Sequence, residues 1–359
     1  MRLLLPLLLA ATTLAQSAPQ TRLSRTTEGL RGVSAVSRNI AWASGTHGTY
    51  LRTTDGSIWI PDHVPGAESL DFRSVVAFSA DEAFLMSAGP GDQSRIYHTA
   101  DRGRHWQLQF TNSNPKGFFD SMVFWDPTHG IVLGDPIPDE TGKLKFELLI
   151  TNDGQTWTHI PPAQLPPAIE GEGAFAASNS CLAILGTSID LNVWFATGGK
   201  AARVFHSSNR GQTWQVFDTP ILHGPDSAGI FSIAFRDRSH GVIVGGDYKH
   251  PDQDGPNLAF TSDGGKTWTL SKIIPQSYYS AVAYDHRHRN RKSKDLEENQ
   301  ADVRLFIVGP KFVYDFRPPK DPTRISPRKK SDSQFNAVSP YPEGGALVVG
   351  PKGTIATIP

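Results

Sequence analysis

Residues Thr261–Trp268 read TSDGGKTW. This stretch decides the fold, because its side chains are those of a tight turn between two strands. The Asp263 carboxylate can accept N–H groups of the turn it opens, and Thr261 can add a hydroxyl bond. Gly265 can take the left-handed backbone that other residues resist. Trp268 starts the returning strand with a large apolar side chain suited to packing on a neighbouring unit. The stretch therefore reads as a structural clasp.

The same arrangement returns along the chain. It is found as TADRGRHW at Thr99–Trp106 and SSNRGQTW at Ser207–Trp214, with Asn209 in the acidic place. One-residue-shorter forms are TTDGSIW at Thr53–Trp59 and TNDGQTW at Thr151–Trp157. Asp55, Asp101, Asp153, Asn209 and Asp263 are separated by 46, 52, 56 and 54 residues, the spacing of a repeated supersecondary unit. Ahead of each turn lies a short alternating segment: GVSAV from Gly32, SVVAF from Ser74, SMVF from Ser121, GAFAA from Gly173 and FSIAF from Phe231. An apolar run follows each of these: AWASG from Ala41, AFLMSAG from Ala83, GIVLG from Gly130, LAILG from Leu182 and GVIVGG from Gly241. Each unit reads as four antiparallel strands with the turn between the third and fourth.

Two further units lack the turn. YSAVAY, RLFIVG, KFVYDF and TRIS (Thr323–Ser326) supply four strands; FNAVS, ALVVG and TIATI supply three. TRLS at Thr21–Ser24 is so like TRIS that it is predicted to pair beside the last three and cover an open sheet edge. The expectation is an all-β fold: a seven-bladed β-propeller of four-stranded antiparallel blades, closed by an N-terminal strand, forming one domain over residues 16–359. Six blades with an irregular C-terminal segment is the rival.

The repeated turn resembles the Asp box of sialidase-type β-propellers, also called the BNR repeat. Seven such units look like the exported BNR-repeat propellers related to photosystem II stability and assembly factors, and more distantly like sialidases. The first resemblance implies a binding scaffold. The second implies arginines holding a sugar carboxylate and a Tyr nucleophile helped by a Glu, roles for which Arg31, Arg73, Tyr279 and Glu172 have the right side chains. The pattern departs from sialidases, since Arg31 is followed by Gly32 and Val33 where an Arg-Ile-Pro motif is expected, and a third arginine is offered only by Arg203.

Composition narrows the classes. The 359 residues are 38% hydrophobic with 33 Gly and 27 Pro, a turn-rich globular balance. Lys plus Arg and Asp plus Glu both number 35, so no net field draws nucleic acid or an anionic membrane. Met1–Ala15 has the charged start, apolar core and small-residue end of a secretory leader, which places the mature chain in the periplasm or outside the cell. Its apolar run is shorter than the roughly 20 residues of a membrane anchor. Cys181, the single cysteine, excludes an intramolecular disulfide and reads as a buried small hydrophobe. No cofactor motif is visible, neither CxxCH nor a glycine-rich nucleotide loop. Asp247, Asp252 and Asp254 lack the calcium-loop pattern, and no His pair has zinc spacing, so no metal is expected.

Topology selects a face. In a four-stranded blade the turns lie on one side, and the residues leading into the inner strands ring the channel mouth on the other. Those residues are Arg31, Arg73, Asp120, Glu172, Phe231, Tyr279 and Asn336. Asp135, Asp190 and Asp247, in long loops after equivalent apolar runs, are expected to join them. Trp194 and Tyr248 are candidate contact residues. The basic stretches Asp285–Asp295 and Lys320–Lys330 read as solvated loops, with an acidic partner as the alternative. No complete catalytic set is visible. The sequence thus favours a monomeric, exported, non-catalytic scaffold for a protein or glycan ligand, with a sialidase-like glycoside hydrolase as the alternative.

Overall fold

The computed structural model describes residues 18–185, 190–272, 277–285, 304–311, 313–316 and 334–359. The leader Met1–Ala15, the basic stretches beyond Asp285 and the TRIS segment lie outside these residues. The described chain is an all-β propeller of four-stranded antiparallel blades. In the first, Leu30–Ala35, Ala41–Gly45, Thr49–Thr53 and Ile60–His63 run from the channel outward. The other inner strands are Asp71–Ala77, Phe119–Asp126, Leu182–Ile184, Ala228–Phe235, Ala281–Tyr284 and Ala337–Pro340.

Where seven four-stranded blades were expected, the described residues form six sheets of four or more strands, so the number of four-stranded blades is corrected to six. The sheet built on Ala281–Tyr284 has three strands among the described residues, and the TRIS segment expected as its fourth lies outside them. At the N-terminus, Gln20–Arg22 pairs antiparallel with Ile355–Ile358, Gln20 opposite Thr357 and Arg22 opposite Ile355. That strand starts one residue before TRLS.

One unit was misread. GAFAA does not form the inner strand of its blade; Leu182–Ile184 does, and Val193–Ala196 is the second strand. Leu182 and Ile184 bring more apolar area to the gap between blades than the small residues of GAFAA. Asn179, at φ 61°, turns the chain just before the strand begins.

The recurrent turn is built as its residues suggest. Asp263 Oδ1 accepts the N–H groups of Lys266 and Thr267 at 3.0 Å each and the Thr261 hydroxyl at 2.8 Å, while Oδ2 accepts the Thr267 hydroxyl at 2.6 Å. The two lengths of turn differ by one left-handed residue. The longer form carries two in a row, Gly264 with Gly265, Arg102 with Gly103 and Arg210 with Gly211; the shorter carries Gly56 or Gly154 alone. Each turn's tryptophan packs between its own blade and the preceding one. Trp268 meets Phe235 and the cluster around Trp194, Trp157 meets Phe124 and Phe84, and Trp214 meets Phe195 and Ile131. Trp194 is itself core, fully buried and stacked on Phe235 at 3.9 Å, not a surface contact.

The backbone and hydroxyl bonds hold these carboxylates low: the His105 N–H and side chain bring Asp101 to about 2, and Thr156 with its N–H lowers Asp153 further. A carboxyl lowered in the fold stabilises above its unfolded value and loses that contribution as pH falls through the folded value. The melting temperature is therefore expected to drop between pH 4 and pH 2. Asp263→Ala, which unpairs two turn N–H groups, should cost about 1 kcal/mol in denaturant unfolding at pH 7 and much less near pH 2. An unchanged midpoint at pH 7 would remove the clasp role.

Candidate functional site

Four of the predicted mouth residues share one structural position. Arg31, Arg73, Asp120 and Phe231 each sit at a register shift near the start of an inner strand, where one residue is left without a partner in the second strand. Such a bulge re-aims its side chain out of the sheet's alternation, here toward the channel mouth. In the three-stranded sheet Ala281 pairs with Val308, so the matching position is Ser280 and Tyr279 falls one residue early. Tyr279 packs in the core with Val242 and Leu258. Its neighbour Tyr278 is the tyrosine of the mouth. Burial raises its phenol, and the nearby charges of Arg31 and Arg73 act against that rise. Asn336 is occupied structurally, donating to Leu30 O at 2.8 Å.

The segment that was expected to be a strand crosses the mouth instead. Ala174 N–H donates to Asp135 Oδ1 at 2.9 Å, and Ala176 O accepts Arg73 Nη1 at 3.0 Å. Ser178 Oγ donates to Ser280 O at 2.8 Å, and Asn179 Oδ1 accepts the Ser121 hydroxyl and Met122 N–H at 3.1 and 2.7 Å. Ser180 O accepts Ile233 N–H at 2.8 Å. One short segment thus bonds to four other blades and plugs the channel. Phe175 anchors it, stacked on Phe231 at 3.9 Å and 9°. A Cβ on Gly198 would lie 2.2 Å from the Phe175 ring, so only glycine admits it there.

Under the plug lies a carboxyl pair. Asp120 is 1% exposed, and neither oxygen has a hydrogen-bond partner among the described residues. Burial first, then the Asp135 charge, raises it well above the usual range, against the pull of Arg73. Burial lifts Asp135 to about 6, against the Ala174 N–H. Cys181 is buried close to Asp120, and burial pushes its thiol up, which is the inert state. Arg31 lies beside Arg73 with its Nε buried and unpartnered among the described residues. Burial and the Arg73 charge both lower its pKa, and Asp71 and Tyr278 oppose them.

The remaining expected residues are placed elsewhere or already engaged. Glu172 is locked to Arg203, with Arg203 Nε at 2.9 Å from Oε1 and the Thr197 hydroxyl at 2.7 Å from the same oxygen. This pair braces the start of the plug. Asp247 accepts Lys249 N–H and His250 Nδ1 at 2.9 and 2.8 Å; burial acts to raise it, and these bonds keep it lowered. Asp190 is on the recurrent-turn side, bonded to Arg238 Nε at 2.7 Å, because its loop joins the first and second strands of its blade. No group of three or more His, Cys, Asp or Glu that could hold a metal occurs among the described residues.

Sequence reasoning missed Asp71, Phe175 and Tyr278. Asp71 holds Arg73 Nε at 2.8 Å. Tyr278 and the half-exposed Tyr248 meet Phe231 edge-on, at 4.7 and 6.2 Å, so the mouth presents an aromatic cluster beside two guanidinium groups. The adjacent tyrosines at 278 and 279 were the available signal, and Phe175 was the one large residue of GAFAA.

No family model and no curated protein matches the chain. Solved structures do. A structure of YCF48 from Cyanidioschyzon merolae is 15% identical, covers 95% of this chain and 98% of that chain, and superposes with a TM-score of 0.56. The WD40 beta propeller domain of Doa1 is 11% identical over 95% of this chain and 96% of that chain, with a TM-score of 0.59. YCF48 bound to D1 peptide is 14% identical over 96% of each chain, and its TM-score of 0.43 is too low to carry an argument. At such identities the likeness establishes the propeller fold, and any function has to be argued from the site.

Proposed function

We propose that this chain is an exported, non-catalytic binding scaffold that recognises a protein segment at the plugged mouth, on the face opposite the recurrent turns. The observation that carries this reading is Arg31, a half-buried cation whose Nε has no partner among the described residues, set beside Arg73 and the ring cluster of Phe231, Tyr248 and Tyr278. Aromatic side chains with arginine are the residue types that dominate protein recognition. The pairing of Gln20–Arg22 with Ile355–Ile358 supports a ring closed at the N-terminus, and the turn geometry supports an Asp-box repeat. The sialidase-like alternative is weakened, since Glu172 is locked to Arg203 and Tyr279 is core.

A photo-crosslinking residue at position 248 is expected to capture a protein partner from the exported compartment, and the same residue at position 266, among the turns, is not. Arg31→Glu should abolish the first capture without changing the melting temperature by more than a few degrees. Equal capture at both positions, or capture indifferent to Arg31→Glu, would place recognition elsewhere.

The buried carboxyls add a dependence on pH. A carboxyl raised in the fold leaves stability intact below its unfolded value of about 4, and costs stability as pH rises toward the folded value, a cost complete for Asp135 by about pH 6. Asp120→Asn removes one ionisable member of the pair. It should raise the melting temperature at pH 7 and leave it nearly unchanged at pH 4. A difference that is the same at both values would mean that Asp120 is not held protonated.

A further inference from the structure

With one end plugged, the channel is a blind chamber, and the part nearest the recurrent turns holds a cavity of about 320 Å³. Val76, Val123, Ala183, Ala234 and Ala283, with Ser34, form its wall at one register level of the inner strands. Four of these apolar side chains, at 76, 123, 234 and 283, are half-exposed into it. No lining residue carries a charge. Asn179 stands at the plugged end, with its Oδ1 already taken by Ser121 and Met122. What Asn179 has left to offer is its amide N–H donors.

We infer that this chamber is a binding site for a compact, neutral molecule of about ring size that joins an apolar body to a hydrogen-bond acceptor, admitted from the recurrent-turn face. The volume is at the lower end of small-molecule pockets, roughly 300–1,000 Å³, and the lining combines apolar walls with three residues that carry polar side-chain groups, Ser34, Asn179 and Tyr284. Walls without charge disfavour an ionised ligand, which would lose its hydration with nothing to replace it. The plug forbids passage from the mouth, so this site is separate from the protein-binding face and does not depend on it. The recurrent turns thereby rim an opening.

The neutral ketone dye prodan, titrated into the full chain, tests this. Saturable uptake of one dye per chain with a blue-shifted emission is expected. Ala234→Phe and Ala283→Phe, each projecting a ring into the chamber, should weaken uptake by at least about tenfold, and Arg31→Glu should leave it unchanged. The anionic dye 1-anilinonaphthalene-8-sulfonate should bind more weakly than prodan. Circular dichroism and melting establish that each variant is folded; should a filled variant unfold, the comparison of the two dyes on the unaltered chain decides. Absence of saturable uptake, uptake indifferent to both filled variants, loss of uptake in Arg31→Glu, or tighter binding of the sulfonate would each overturn the assignment.

Discussion

An inner strand in a ring of radiating sheets has hydrogen-bonding partners on one edge only, and the other edge faces the channel. Buried N–H groups there must find acceptors, because leaving one unpaired costs as much as the bond it forgoes. The chain meets this constraint with side chains handed from blade to blade. Ser339 Oγ accepts Ala35 N–H at 3.0 Å, Ser34 accepts Ala77 N–H at 3.0 Å, and Ser232 accepts Val282 N–H at 2.9 Å. Where the short inner strand Leu182–Ile184 leaves the series incomplete, the plug supplies what is missing: Asn179 serves Met122, and Ser180 serves Ile233. The plug is therefore part of the same edge-satisfying system as the serines, and its function as a cover follows from it.

The parts of the fold legible in the sequence were those fixed by local chemistry. A turn that needs Asp, Thr, Gly and Trp at set offsets declares itself, and in four of its five copies it gave the strand order of the blade. The misreadings came where local pattern does not determine register. GAFAA and LAILG are both apolar and short, and choosing the first as inner strand shifted the unit by one strand. That single shift carried Asp190 to the wrong side and turned Glu172 from a braced structural acid into a candidate ligand. Tyr279 shows the same limit at the scale of one residue, since the position matching the other bulges is Ser280, and Tyr279, one residue earlier, packs in the core. The ion pair between Glu172 and Arg203 joins residues on separate strands, and nothing in the spacing of either declares the other.

The mouth is expensive in electrostatic terms. A carboxyl and an arginine Nε without hydrogen-bond partners among the described residues, and a second carboxyl raised to about 6, lie within one small region. Asp101, Asp153 and Asp263, on the opposite face, are held low and well bonded, so the two faces of the ring respond to acid in opposite senses. Polar groups left incompletely paired inside an otherwise satisfied scaffold mark where a fold has kept something other than stability.

The plug also bears on how the ring moves. The amides of Met122 and Ile233 belong to different blades that do not touch along their inner strands, yet both close on adjacent residues of one segment, Asn179 and Ser180. Local opening of that segment exposes both at once. Solvent exchange at the two positions is thus linked through one segment, which is held by the stacking of Phe175 on Phe231 and by its hydrogen bonds to the other blades. Two distant edges of the propeller are in this way given a common clock.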